Sequence, residues 1–360
     1  MLIGFYITTA LVLLLALLPI LRIEFWPIRA LDFPRLQIAC FAAALLIAEA
    51  LLLPLTQWST QILLTGGAVA LAIELWWIIP YTRLAPVEVN ASLETDDAPR
   101  ISIVTANVLT PNRQAERLLA QIREHQPDIF VTLESDSWWE SQLDSLRDDY
   151  PHSVKCPLDN LYGMHVYSRL PLSDTHTEFL VEDDKPSVHT LVQLPSGEKL
   201  RCHFLHPAPP SPTENDESSE RDAELLVVAR NLRGNTEPVI VTGDLNDVAW
   251  SRTTRTFRKI SGLLDPRIGR GMFNTFHANF WFLRWPLDHV FHSEHFRLAR
   301  MFRLEPFGSD HFALYTELTF NPAHQSQGTS PEAEQEDLQL AREKTRDEAV
   351  KPDDVPEPGN

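Results

Sequence analysis

Basic residues are in short supply. Over 360 residues the chain carries 31 Lys and Arg against 49 Asp and Glu, a formal charge of −18. No segment reverses that balance: the counts are 4 against 8 over residues 1–99, 23 against 31 over 100–320, and 4 against 10 over 321–360. The basic face that broad nucleic-acid binding draws on is therefore missing. Cysteine is scarcer still, with only Cys40, Cys156 and Cys202. Cys40 lies in an apolar stretch. The other two leave one pairing open, and the spacing fits neither a disulfide framework nor a zinc site.

What the first 80 residues do have is long apolar runs. "LIGFYITTALVLLLALLPIL" is about 20 residues without a charge, the length of a membrane span. "LQIACFAAALLIAEALLLPL" contains only Glu49, and "QILLTGGAVALAIELWWIIPY" contains only Glu74 and ends in aromatics suited to the interface. A cleaved leader would account for the first run but not for the other two. Residues 1–80 are therefore expected to form three transmembrane helices, and residues 81–99 a polar linker. The loop between the first two runs carries Arg22, Arg29 and Arg35, which leans toward a cytoplasmic loop and, with three spans, a cytoplasmic C-terminal domain.

From Arg100 the pattern becomes that of a globular domain. "RISIVTANV" and "PDIFVTLE" read as strands around a helix at "NRQAERLLAQIREHQ", with Leu118, Leu119 and Ile122 on one side. "SWWESQLDSLRDDY" predicts a second helix and "GMHVYSRLPL" a strand. "SVHTLVQLPSGEKLRCHFLH" predicts a hairpin turning at Pro195 to Glu198. "ESSERDAELLVVARNLRG" is a helix with a Ser/Glu start, and further strands lie at "PVIVTGD", "PLDHVFH" and "HFALYTELTF", with a helix from about Ser251. Strands arrive both singly with helices and as hairpins. That excludes a purely parallel Rossmann-type sheet and predicts an α+β fold of two mixed sheets face to face with helices outside. Residues 321–360 read as a disordered acidic tail, with a helical pattern at "EAEQEDLQLAREKTRDEA".

Polar residues collect just past the strands: Asn107, Glu134, His206, Asp244 with Asn246, Asp288, and Asp310 with His311. Each alone has a plain explanation as a turn residue, a rim histidine or a helix-start charge. Six strand ends with the same chemistry make a site the better reading. His289 follows Asp288 on one strand and so points the other way. His165, His277, His292 and His295 have no partners in the pattern, and Asp247 reads as a local turn contact.

The motifs "TANV", "TLE", "YSRLPL", "HFLHP", "GDLND", "LDHV" and "GSDH", in that order across residues 100–320, resemble the endonuclease/exonuclease/phosphatase superfamily. The resemblance implies a four-layer αββα sandwich and a Mg²⁺ site, with Mn²⁺ as a substitute. It makes Glu134 the principal metal ligand with Asn107 and Asp310 close by. Asp244 would orient or deprotonate the attacking water, Asn246 and His206 would donate to the phosphoryl group, and His311, fixed by Asp288, would contact the scissile phosphate. One departure stands out: nucleases of the family often carry an Asp where this chain has Leu109, which weakens the nuclease reading.

Fold alone does not choose a substrate. The spans and the acidic charge lean toward a lipid-linked or small phosphate ester or pyrophosphate, cleaved by a membrane-anchored phosphohydrolase. A membrane-tethered nuclease acting on nucleic acid is the alternative, and a catalytically inactive scaffold a third reading. Resemblance to relatives that handle cell-envelope lipids implies an integral protein of the bacterial plasma membrane, with membrane lipids around it and the side of the catalytic domain left open. Phe280, Trp281, Phe282 and Trp285, just before Asp288, read either as core and loop bracing or as an apolar lip for a lipid chain.

Overall fold

The structure, a computed structural model, describes residues 2–21, 23–92, 98–321 and 330–359. Three of its helices are long and apolar enough to cross a membrane: Leu2–Ile20, Arg35–Leu52 and Trp58–Tyr81, of 19, 18 and 24 residues. Their α-helical parts are α1 (Leu2–Leu17), α3 (Arg35–Leu52) and α4 (Trp58–Ile78), with a single turn, α2 (Trp26–Arg29), in the first connection. Their acidic residues face inward. Glu49 accepts from Thr9 Oγ1 at 2.6 Å, and Glu74 accepts from Arg35 Nη1 at 3.0 Å, both inside the bundle. At Gly67 a Cβ would come within 2.8 Å of Leu46, so this small residue lets α3 and α4 approach closely.

The remaining elements are β1 (Arg100–Asn107), α5 (Ala115–His125), β2 (Ile129–Leu133), α6 (Ser137–Leu143), β3 (His152–Cys156), β4 (Met164–Ser168), β5 (Leu172–Glu178), β6 (Ser187–Gln193), β7 (Lys199–Leu205), α7 (Ser219–Asn231), β8 (Val239–Asp244), α8 (Arg252–Ser261), β9 (Asp288–His292), β10 (Phe296–Arg303), β11 (Leu314–Phe320) and α9 (Gln335–Asp347). One sheet runs β10-β11-β1-β2-β4-β3 and the other β5-β6-β7-β8-β9. Both are mixed, with β1 parallel to β2 and β7 parallel to β8. Ile101, Ile103 and Val131 meet Val188, Phe204 and Ile240 between the sheets. The opposite faces of the same strands are covered too: Val104 and Phe130 by α5 and α6, Val239 and Val241 by α7, α8 and α9. Because both faces are buried, these strands read as continuous apolar runs. The result is the expected four-layer αββα sandwich.

Two expectations need correction. The C-terminal segment is not a disordered tail over residues 330–359. Its helix α9 packs on α7, burying Ala341 and Thr345 with Val350 and Val355 beyond it, a small apolar face that its acidic composition hides. Residues 322–329 lie outside the described residues. Nor is the linker free along its length. Glu88 pairs with Arg258 at 2.5 Å, Val89 enters the inter-sheet core, and Ser92 N donates to Leu298 O. Residues 93–97 lie outside the described residues.

The apolar helices are docked to the sandwich. Trp26 N donates to Asp216 O and Ser218 N to Glu24 O, so the first loop lies against the start of α7. Tyr81 OH donates to Ala249 O at 2.5 Å, and Trp250 Nε1 donates to Asp32 O at 2.8 Å. The first loop therefore shares a side with the sandwich. Of the three arginines on which a cytoplasmic orientation would rest, Arg29 and Arg35 are buried and paired with Asp32 rather than free loop charges, and Arg22 lies outside the described residues.

Candidate active site

The stretch "GDLND" is where β8 ends, and Gly243 is what lets it end there. Gly243 lies opposite Leu205 on β7 with φ 156°, and a Cβ on it would stand 1.8 Å from the Leu205 carbonyl oxygen. Only glycine allows that approach, which brings the next residue of each strand, His206 and Asp244, to 4.0 Å. Across the antiparallel pair Asp288 is directly opposite Asp244. In the other sheet Asn107 pairs beside Leu133, so Glu134 follows next to it. Thr105 Oγ1 and Thr242 Oγ1 hydrogen-bond at 2.7 Å and join the two sheets beneath the site.

The predicted residues meet on this edge. Asn107 Nδ2 donates to Glu134 Oε1 at 2.7 Å and to Asp244 Oδ2 at 3.0 Å, so its amide holds two carboxylates. Its oxygen accepts from Leu109 N, so it reaches the carboxylates through nitrogen. His311 stands between two carboxylates, with Nδ1 2.8 Å from Asp288 Oδ2 and Nε2 3.5 Å from Asp244 Oδ2. Asp310 follows Ser309, whose hydroxyl donates to Asn107 O at 2.8 Å. Asn246 and Glu134 both have left-handed backbone, φ 50° and 59°. Asn tolerates this; Glu134 is held there by Thr110 Oγ1 donating to its carbonyl. Asn246 Nδ2 donates to Pro207 O at 3.0 Å, and its second amide hydrogen is available for another acceptor.

Charges set the character of each group. Burial pulls the His311 imidazole down, but Asp244 and Asp288 outweigh it and push it up to about 10, so it is cationic. Burial alone dominates at His206, which falls to about 4 and stays neutral. Burial raises Asp244, opposed by the charge of His311. Burial also raises Glu134, to about 7, with the charges of Asp244 and Asp310 adding to it. Glu134 Oε2 is buried without a hydrogen-bond partner. A crowded carboxylate with a free buried oxygen fits a hard divalent cation, which prefers such ligands. The tight cluster Asp244, Asp288 and His311 also has metal-ligand spacing among the described residues. Its histidine nitrogens, however, already face the two carboxylates, so Glu134 is the better first ligand.

Several supporting residues had no signal in the sequence. Tyr162 lays its ring 5.1 Å from that of His206. Thr275 Oγ1 accepts from Asp288 N. Arg221 Nη1 donates to Asn246 O at 3.0 Å. Behind β9, Arg267 is paired with Asp265 and donates to His289 Nδ1 at 2.7 Å, while His289 Nε2 donates to Asp247 O, so His289 braces the loop from the far face. Asp247 accepts from Val248 N and from Ser251 Oγ at the start of α8, a local turn contact. His165 bonds to Ser135, the residue after Glu134, while His292 and His295 both bond to Ser293.

Residues 275–285 form an irregular hairpin rooted on the catalytic edge. Ala278 N donates to Asp310 O at 2.6 Å, and the Phe276 ring lies 5.0 Å from that of His311. Trp285 is packed against Phe33 and Phe276, as a bracing role requires. Phe280, Trp281 and Phe282 are not packed away: they are 48%, 80% and 53% exposed. Gln37, near the start of α3, donates to Phe282 O at 2.8 Å, so the hairpin tip lies beside an apolar helix.

A two-sheet sandwich with carboxylates, an amide and a histidine converging on one edge defines a class of phosphoester hydrolases. Residues 104–311 match the Endonuclease/Exonuclease/phosphatase family, and the chain belongs to that family. The family includes phosphatases and nucleases acting on phosphoester bonds, and its enzymes generally depend on a divalent metal. The fold is similar to that of the human Nocturnin catalytic domain with bound sulfate anion, at 18% identity and TM-score 0.53, over 63% of this chain and 97% of that one. It is similar also to D. rerio TDP2 complexed with single-strand DNA product, at 17% and 0.51, over 61% and 99%. A third likeness is to a family protein from Bacteroides thetaiotaomicron, at 19% and 0.50, over 65% and 99%. No curated protein matches the chain significantly.

Proposed function

We propose that the chain is a membrane-anchored, divalent-metal-dependent phosphohydrolase that cleaves a phosphoester or pyrophosphate bond of a lipid-linked substrate. The observation that carries this reading is the hairpin. Its root touches His311 and Asp310, and its exposed aromatic tip lies beside α3, at the end of an apolar run long enough to span a membrane. A lipid phosphate entering from the bilayer surface meets Phe280, Trp281 and Phe282 with its chain and the cluster with its phosphate.

In this reading Glu134 would hold the cation with Asp310 close by, and Asn107, whose amide nitrogen faces Glu134 and Asp244, would position the carboxylates rather than serve as the expected ligand. A divalent cation bound there neutralises charge on the phosphoryl oxygens. Asp244 orients the attacking water and takes its proton. Asn246 donates its spare amide hydrogen to a non-bridging oxygen, and neutral His206 donates from its ring. His311, held cationic between Asp244 and Asp288, presents a fixed positive charge to the developing phosphorane.

Replacing Trp281 and Phe282 with Ser tests the reading. The Michaelis constant for a lipid phosphate in mixed micelles should rise about tenfold or more, from lost apolar contact. That for a water-soluble phosphodiester such as bis-p-nitrophenyl phosphate should stay put. Equal losses on both substrates would mean that the aromatics only brace the loop. Turnover of oligonucleotides with none of lipid phosphates would favour the nuclease.

A further inference from the structure

Four arginines gather beside the aromatic hairpin, around Phe312, the residue that follows His311. Arg83, Arg270, Arg284 and Arg303 line a cavity of about 720 Å³ with Phe312, and Glu305 is the acidic residue among its walls. Arg83 and Arg303 are exposed and Arg270 and Arg284 half-buried, whereas the fully buried arginines Arg221, Arg258 and Arg267 each pair with an acid: Asp222, Glu88 and Asp265. In the cavity at the helix junction, near Trp76 and Asp337, Arg252 pairs with Glu336 and Lys259 with Asp337, while Arg255 lies over Trp77.

Here the charges are left over. Arg303 donates to Asn274 O at 2.6 Å, Arg284 to Ala278 O at 3.0 Å, and Arg270 to Pro266 O and Val89 O, all main-chain carbonyls. Among the described residues no carboxylate forms an ion pair with any of the four. Arg284 Nε is buried with no partner at all. The Phe312 ring is flanked by Arg284 at 4.9 Å and Arg303 at 4.7 Å, which fixes both guanidiniums without consuming their charge. Burial lowers Arg303, and the neighbouring charge of Arg284 lowers it further.

The position matters as much as the charge. Arg83 is two residues past Tyr81, where the third apolar helix ends, and the neighbouring Leu84 is 84% exposed. In a chain of net charge −18, four unmatched guanidiniums at that level are a concentrated exception. Planar guanidinium forks match phosphate oxygens and keep their charge at any physiological pH.

We propose that this cavity is an anion site that binds a phosphate group, separate from the group cleaved at Asp244 and His311. The inference does not depend on the lipid-substrate reading, because the site is defined by arginines that take no part in the catalytic cluster. Phosphate on the headgroup of an anionic lipid and free phosphate share the chemistry, and the test separates them.

The full chain in a neutral detergent, with EDTA and carrying Asp244→Asn and His311→Ala to weaken phosphate binding at the catalytic edge, is titrated by calorimetry. The probes are inorganic phosphate and the soluble lipid dihexanoyl phosphatidate. Binding should be seen, and Arg83→Gln with Arg303→Gln should weaken it about tenfold or more, as expected for lost charge-assisted bonds. Arg83→Gln alone, at an exposed residue, keeps the test sound if the double variant melts early, and should weaken binding about threefold. Tighter binding of the lipid identifies a headgroup as the ligand; equal binding identifies free phosphate. Absence of binding by both probes would overturn the proposal. So would arginine variants that bind as tightly as their parent, or a site that takes a single-stranded oligonucleotide but neither phosphate probe.

Discussion

Asn107, Glu134, Asp244, His311 and Asp288 are linked in a chain of hydrogen bonds and ion pairs, which decides how substitutions should behave. Asp244→Asn keeps the shape but removes the charge that faces His311 at 3.5 Å and the group assigned to the water. Positioned proton transfer is worth about 10²–10⁴-fold, so the loss should fall on turnover more than on the Michaelis constant. Glu134→Gln removes charge from the proposed metal site and should raise the Mg²⁺ concentration needed for half-maximal rate. Asp288 reaches the substrate only through His311, its partner at 2.8 Å. Asp288→Asn should therefore be milder than His311→Ala, and the double variant should be little worse than the histidine variant alone. Circular dichroism and a melting curve accompany each measurement. If folded Asp244→Asn and His311→Ala proteins turn over the best substrate at wild-type rates, these residues do not carry the chemistry.

At the level of elements, α7 hides a titrating group. Glu224 is 2% exposed beneath Lys185 and Glu182, with Oε1 unbonded, and burial raises its carboxyl to about 8 from an ordinary 4.5. The folded state holds this proton more tightly than the unfolded chain does. Stability should therefore be highest below about pH 4.5, as far as this group is concerned, and decline as pH rises toward 8, where the buried charge forms. Glu224→Gln removes that slope and should raise the melting temperature at pH 8 by about 3 °C or more relative to wild type. An unchanged pH dependence in the variant would show that Glu224 finds a partner or water in solution. The same burial logic explains what the sequence made legible. Strands β1, β2, β4, β6, β7, β8, β9 and β11 are buried along nearly their whole length, and the apolar runs of β1, β2 and β8 announce it most plainly. Edge strands β3 and β5 are half exposed along their length and carry no such run, and β10 alternates too weakly to be read. The site residues all lie near strand ends, but not all just past them: Asp288 opens β9, and Asp310 and His311 precede β11, while Tyr162, Thr275, Arg221 and Arg267 come from loops or helices brought in by tertiary packing, and nothing local marks them. The helical pattern of α9 is legible in the sequence, but its docking on α7 is hidden, because the few small side chains it buries leave the rest of it charged.

For the whole molecule, the apolar helices are part of what holds the catalytic loop. Val248, Ala249 and Trp250 directly follow Asp244 to Asp247, and all three are buried against Ala39, Ile78, Tyr81 and Leu287. Trp250 is further tied to Asp32, whose carboxylate pairs with Arg35, itself bonded to Glu74. Ion pairs in a buried setting give little net stability, so the apolar cover is the larger contribution. Uncovering Trp250, Val248 and Leu287 forfeits several kcal/mol, at about 1.5–3 kcal/mol per large side chain. A domain of this size is stable by only about 5–15 kcal/mol in all. A fragment of residues 86–360 should therefore melt well below the intact chain in detergent. It should also lose turnover more than substrate affinity, because the loop that positions Asp244 and Asn246 loses its support. Trp250→Ala in the full chain should show the same pattern, at about 3–5 kcal/mol of stability. The full chain itself should need detergent for extraction, as expected of three helices long and apolar enough to cross a membrane. A fragment that is soluble and monodisperse, melts with the parent and turns over at the wild-type rate would show that the helices only tether the sandwich.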